Sequence, residues 1–413
     1  MILTSKKRRK TVLQRLGFTR FSQQKTKNIN LSPDHQPIWI HALSVGETLS
    51  AAELVKTVKK NFPNRKLIFS VSTATGFDEA RKRLADETEY IFFYPYDILF
   101  VVKKVLRQVS PSLFVLVESD IWPTFLLELK KMNVPTVLVN ARLSSSSFVG
   151  YKRLSWIMRP VLNSFSKICV QSDEQGKRFV QIGVKPDKIC VTGNMKFDQK
   201  TELVSRKNII SIRKSLLISE NKKIFLAGST HPGEESILLE SFVRLRSTFS
   251  DLVLVIVPRN PDRADEVCRS ASDSGLVVKK MSRDKSDSSD VVVVDVMGVL
   301  GKLYAIADAA FVGGSLVACG GHNPLEPAAF AKPMIFGPDM SDFPEISRML
   351  LHAGGAIEVR NTEHIVQTVR EFLTDPVKAR KVGKKAFEIF QANQGAVEKT
   401  VAVIKKIEIG RAG

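Results

Sequence analysis

Two doubly wound α/β domains in tandem are the fold class this sequence predicts, on three observations. Short apolar runs of strand length alternate with amphipathic helical stretches along most of the 413 residues. The series is interrupted once by a polar segment and then starts again. The chain is also long enough for two domains of ordinary size, each with its own core. Strands separated by helices instead of tight turns point to parallel sheets covered on both faces.

In the first series, strands are expected over 38–42, 66–71, 90–94, 113–118, 136–140, 167–171 and 189–192. Ser44-Val45-Gly46-Glu47 leads into an amphipathic helix over 48–61, and the 72–76 run into a helix over 77–85. Residues 198–220 are polar and charged and form the expected linker. The second series places strands over 223–227, 252–257, 276–280, 291–294, 309–312 and 333–336. The resulting division is a basic tail over 1–34, a Rossmann-like domain over 35–205, a second over 206–380 and a helical segment over 381–413. Ligands of open α/β sheets bind beyond the carboxyl ends of the strands. A cleft between the two halves is therefore the expected site, with the C-terminal segment folding back across it.

Composition narrows the function. The 44% hydrophobic content is that of a soluble globular protein. A net charge of +20 asks for an anionic partner: membrane lipid, nucleic acid or a phosphorylated substrate. Nine of the cations (Lys6, Lys7, Arg8, Arg9, Lys10, Arg15, Arg20, Lys25 and Lys27) fall within residues 1–30, which carry no acid. The four cysteines are scattered without a CxxC pair, as expected of small buried residues in a reducing compartment. No run approaches the roughly 18 apolar residues of a membrane span, and the N-terminus lacks a signal peptide's apolar core. The expected location is cytoplasmic, free or held at a membrane surface. No basic–aromatic stacking platform or nucleic-acid motif is present, which argues against a nucleic-acid binder.

The chemistry is most legible between Phe311 and Pro327, FVGGSLVACGGHNPLEP. An apolar strand runs into Gly313-Gly314-Ser315; Gly320-Gly321-His322-Asn323 follows, and Pro324 suits a first helical turn. Glycines between strand and helix let backbone N–H groups approach an anion, and a helix N-terminus adds partial positive charge. The expectation is a nucleotide site, with the Glu326 carboxylate bonding ribose hydroxyls. The alternative is a glycine-rich loop that only packs. Pro258-Arg259 follows an expected strand, where a guanidinium suits bidentate phosphate contact. Arg259 is the firmer phosphate candidate and Arg263 the second.

Eight motifs in order, HALSVGE, VESDIWP, NARLS, GNMKFD, AGSTHPGEE, VPRNPDR, DVMGVLGKLY and FVGGSLV with GGHNPLEPA, resemble those of the 3-deoxy-D-manno-octulosonic acid (Kdo) transferases from about residue 35 to about residue 360. The resemblance implies a GT-B glycosyltransferase fold: two Rossmann-like domains facing across a cleft. It implies inverting transfer of Kdo from CMP-Kdo to the lipid A precursor (lipid IVA). Glu47 is then the catalytic base, Glu118 supports the transition state, and Lys196 neutralises donor phosphate or carboxylate. Their structural alternatives are a helix-capping carboxylate, a salt-bridged acid and a surface lysine. Pro258, Arg259, Met297, Gly298, Val299, Asn323, Pro324, Leu325 and Glu326 are implied to form the CMP pocket, with Gly228 to His231 along its other edge. The family's usual second acid is here Asp120, a mild departure, and Asn260 and Val299 stand where the family often has histidine and commonly glutamate.

Neither a cofactor nor a metal is expected. The histidines do not pair at ligand spacing, no DxD loop occurs, and a monophosphate leaving group carries less charge than a diphosphate. The expected partners are the CMP-Kdo donor, the lipid A acceptor and the anionic inner-membrane surface, with no nucleic acid. Many relatives begin with an apolar anchor; here a cationic tail replaces it, worth about 1 kcal/mol per cation near anionic lipid, with Phe18 and Phe21 at the interface. The alternative reading is another GT-B sugar-nucleotide enzyme, a UDP-sugar transferase or epimerase.

Overall fold

A computed structural model of the chain describes residues 11–18, 36–118, 120–199, 205–283 and 289–412. Most of the basic tail, Phe21 and residues 200–204 of the expected linker lie outside them. The chain forms two compact units, Met1–Gln199 with Asn393–Gly413, and Lys200–Ala392.

The first unit holds a seven-stranded parallel sheet in the order β3-β2-β1-β4-β5-β6-β7. Its strands are β1 (Ile38–Ala42), β2 (Leu67–Val71), β3 (Tyr90–Phe93), β4 (Leu113–Val117), β5 (Thr136–Ala141), β6 (Lys167–Val170) and β7 (Ile189–Val191). β1, β2, β4 and β5 are buried along their whole length, as continuous apolar runs covered on both faces must be. Alternate side chains enter opposite layers. Trp39 goes to one, among Phe92, Phe114 and Phe125. Ile38 and Ile40 go to the other, with Leu54 and Val55 of the helix Val45–Asn61.

The second unit repeats the architecture in the order β10-β11-β9-β8-β12-β13-β14. The strands are β8 (Lys223–Thr230), β9 (Leu252–Pro258), β10 (Val278–Lys280), β11 (Val291–Val293), β12 (Ala309–Val312), β13 (Met334–Phe336) and β14 (Ile357–Glu358). In both sheets the order reverses beside one strand pair, β1/β4 and β8/β12. Every ladder is parallel, so all carboxyl ends within a sheet share one edge.

Differences from the sequence expectation have local causes. The helix Ala74–Leu84 starts earlier because the Thr73 side chain accepts the Gly76 N–H and caps it. β8 runs on to Thr230 through a register shift at Gly228/Thr230, with Ser229 at φ 56°. Two-residue β14 is too short to register as an apolar run. The expected 381–413 segment divides between the units. The helix Pro376–Ala392 packs in the second, whereas Ala396–Ala412 puts Ala396, Val397, Val401 and Ile404 into the first unit's core. Asp198 anchors that last helix by accepting the N–H groups of Gly395 and Val397, both at 2.6 Å.

Candidate active site

At the first unit's switch point, the chain leaving β1 turns directly into the helix Val45–Asn61. Glu47 sits in the first turn of that helix, half-buried. A reciprocal capping box would pair Ser44 with Glu47. Instead the Ser44 side chain caps nothing, and the Glu47 carboxylate accepts the Leu43 N–H outside the helix. Burial, then the Glu118 carboxylate and more weakly Asp120, raise the Glu47 pKa to about 8, against the Leu43 N–H and the charge of Lys196. Glu47, Glu118, Asp120 and Lys196 are thus within electrostatic reach of one another.

Two buried side chains hold this group. Glu118 follows β4 in the left-handed region (φ 64°), strained for a residue with a Cβ. Asn140, also left-handed at φ 54° and fully buried, donates to Glu118 Oε1 at 3.4 Å and accepts the Met195 N–H at 3.0 Å. It therefore ties Glu118 to the segment carrying Lys196. His41, fully buried on β1, reaches Asp120 Oδ2 through Nε2 at 3.2 Å and Ser70 Oγ through Nδ1 at 2.9 Å. Trp39 donates to the same Oγ at 2.7 Å. Burial lowers the His41 pKa, against the hydrogen bond and charge of Asp120. Nδ1 is also 2.9 Å from the Ser70 carbonyl O, so acceptor oxygens face both ring nitrogens, Ser70 O on one side and Asp120 Oδ2 on the other. The sequence assigns no role to Asn140 or His41, although both stand in quoted motifs.

At the second unit's switch point, the loops after β8, β9, β11 and β12 gather at one edge. Gly228 lies under the Tyr304 hydroxyl, where a Cβ would come within 2.2 Å. The Glu326 charge in turn reaches buried Tyr304 and helps raise its pKa, after burial. The Arg259 N–H bonds Thr230 O at 3.0 Å, and Arg259 itself is exposed. Pro258 is buried at the end of β9. Met297 and Gly298 are exposed, and half-buried Val299 leads into the short helix Leu300–Leu303. Asn323 Oδ1 accepts the Leu325 N–H at 3.1 Å; Pro324 and Leu325 are buried and Glu326 half-buried.

Three expectations need correction. The glycine N–H groups are not open to an anion. Glu234, fully buried, accepts the N–H groups of Gly314 (2.7 Å), Ser315 (3.0 Å), Leu316 (3.0 Å) and His231 (2.9 Å). Gly313 bonds Gly228 O, Gly320 bonds Asp339, and Gly321 bonds Gly314 O. The loop binds a carboxylate of its own chain where an external anion was expected. Helix Leu325–Ala328 has only four residues, too few to supply much dipole. Second, Arg263 is engaged by Glu235 (2.8 Å) and Glu266 (2.8 Å) and is not available to phosphate. Cys319 is exposed, against the expectation of buried cysteines. Among the described residues, no group of three or more His, Cys, Asp or Glu is arranged to hold a metal ion.

Two doubly wound parallel sheets in one chain, each with its own switch point, define the GT-B fold class. UDP-GlcNAc 2-epimerase from Neisseria meningitidis shares this fold, with a TM-score of 0.63 at 14% identity over 90% of this chain and 100% of that one. A glycosyltransferase from Rickettsia africae does so at 0.59 and 13%, over 90% and 98%. The family described as 3-deoxy-D-manno-octulosonic-acid transferase (kdotransferase) matches residues 10–199. The chain is 34% identical over 376 residues to the 3-deoxy-D-manno-octulosonic acid transferase of Haemophilus influenzae, covering 90% of this chain and 87% of that protein. It is 30% identical over 410 residues to that of Chlamydophila psittaci, covering 95% and 93%. The chain belongs to the Kdo transferase family.

Proposed function

We propose that the chain is an inverting glycosyltransferase that moves Kdo from CMP-Kdo to the lipid A precursor, with the acceptor and base in the first unit and the nucleotide in the second. The observation that carries this reading is Glu47, whose pKa near 8 suits a base working close to neutrality. The Glu47 carboxylate takes the proton of the acceptor hydroxyl as its oxygen attacks the anomeric carbon. The bond from that carbon to the phosphate oxygen breaks, and CMP leaves with the electron pair. Glu118 supports the positive charge that develops on the sugar, and Lys196 pairs with donor carboxylate or phosphate. Arg259 holds the nucleotide phosphate, Met297-Gly298-Val299 borders the base through its backbone, and Asn323 to Glu326 hold the ribose. Cationic side chains then suffice for a monophosphate leaving group, and transfer proceeds without a metal.

Arg259→Ala is expected to weaken CMP binding about 10- to 100-fold, the worth of a charge-assisted contact. Arg259→Lys restores only part of it, because the planar fork is lost. Calorimetry with CMP checks both. The deciding assay supplies CMP-Kdo generated in situ and tetra-acylated lipid A precursor, with and without EDTA. Kdo-modified lipid, undiminished by EDTA, is the expected product. Turnover of a UDP-sugar with indifference to CMP would instead establish the alternative enzyme class.

The location proposed is the cytoplasmic face of the inner membrane, peripherally bound. Among the described residues no helix is long and apolar enough to cross a membrane. In the first unit, Val149, Leu154 and Trp156 (75% exposed) project from the helices Ser145–Arg153 and Ser155–Leu162 beside Lys152 and Arg153. Apolar and cationic side chains together suit an anionic lipid interface. Trp156→Glu is expected to lower co-sedimentation with anionic vesicles several-fold, with thermal stability unchanged.

A further inference from the structure

His231, just past β8, and His322, in the loop after β12, carry no role in the mechanism above. Their rings are nearly parallel, 15° apart, with centroids separated by 5.1 Å. The two Nε2 atoms are 2.8 Å apart. Ring nitrogens at that distance need one hydrogen between them, so one imidazole donates and the other accepts. Both rings lie over Gly314, where a Cβ would meet His322 at 3.1 Å and His231 at 3.5 Å.

Charge around the pair is one-sided toward the site. Arg259, at the end of β9, is close enough to oppose protonation of His322. Glu234, from the helix following β8, lies beneath the loop with its carboxylate already held by four backbone N–H groups. Burial, then Arg259 and His231, hold the His322 pKa down to about 4. One further proton would therefore place an imidazolium against a neutral imidazole and beside a guanidinium. Only one of the two facing Nε2 atoms carries a hydrogen, at the edge where the loop's backbone donors are engaged.

We propose that His231 and His322 are the proton-linked half of the phosphate subsite: the pair takes up one proton from solvent as the nucleotide's phosphate settles beside Arg259. The inference rests on the nucleotide reading of this unit. Before binding, the shared hydrogen is closed between the two rings. The incoming phosphate anion supplies the opposite charge that offsets burial and Arg259, so anion and proton enter together. The rings then turn their N–H groups to the phosphate. As the anomeric carbon–oxygen bond breaks, the leaving phosphate gains charge, and these donors stabilise it.

The sign follows directly: proton uptake on binding makes affinity rise as pH falls. Relative to His322→Gln, the full-length wild-type chain is expected to tighten on CMP by about three- to tenfold between about pH 7.5 and about pH 6, at most tenfold per unit. Calorimetry in buffers of differing ionisation enthalpy reads the proton count for wild type, His231→Gln and His322→Gln. The wild type is expected to take up more protons than either variant. Imidazole nitrogen NMR of the unmodified chain, with and without CMP, decides the matter should a variant fail to fold. Movement of the pair to the charged form on adding CMP supports the proposal. Variants that retain the wild-type proton uptake, or imidazoles that stay neutral with CMP bound, overturn it and leave the nucleotide reading intact. A wild type that binds no CMP overturns both.

Discussion

Glu47→Gln is expected to lower kcat for Kdo transfer by about 10²- to 10⁴-fold, the usual worth of a positioned base, with CMP affinity unchanged. The wild-type rate should climb with pH toward a plateau above about 8, because only the ionised carboxylate accepts a proton. The variant should lack that limb. Stability separates this role from helix capping. Burial and Glu118 raise the folded-state pKa to about 8. Stability from this group is therefore full below the ordinary carboxylate range and lost as pH rises through 8. Glu47→Gln removes that loss and can still accept the Leu43 N–H. Its melting temperature above pH 8 should equal or exceed the wild type's, whereas loss of a capping carboxylate costs about 0.5–2 kcal/mol. A lower melting temperature with kcat retained would return Glu47 to a structural role.

The second large effect falls on Glu234. Glu234→Ala leaves four N–H groups around a buried, emptied space, a loss of at least about 3–5 kcal/mol, comparable to breaking a buried charged network. Glu234→Gln places an amide N–H₂ against donors and should recover little. Thermal unfolding is expected to show the second unit melting early or arriving unfolded. Near wild-type melting would mean that water can replace the carboxylate, and that the loop is open to external anions after all.

Those two residues mark what the sequence discloses and what it hides. β12 occupies 309–312 as expected, and the strand–glycine–helix run is recognisable because its signals are local. The partner of its N–H groups is not local: Glu234 lies 80 residues before Gly314. A glycine loop filled by its own chain therefore reads the same as one awaiting a phosphate. Arg263 misleads in the same way. Glu266 stands one helical turn on, but Glu235 reaches Arg263 only through the fold. His41 and Asn140 were unassigned because fully buried polar residues on strands look like ordinary strand positions until their partners are known. The family motifs nonetheless place Glu47, Glu118 and Lys196 around one switch point, where their charges interact.

The last helix carries a consequence for the chain as a connected object. Because Asn393–Gly413 completes the unit that Met1–Gln199 begins, the second unit is an insertion: one continuous cassette entered and left once. A stop near residue 392 would thus damage the first unit, stripping Val397, Val401 and Ile404 from the core they share with the helix Val45–Asn61 and leaving Asp198 without the N–H groups it holds. Conversely, the Lys200–Ala392 cassette can be exchanged for a relative's without cutting any strand of the first sheet. Under the proposed assignment of acceptor to the first unit and nucleotide to the second, two splices recombine the two specificities as modules.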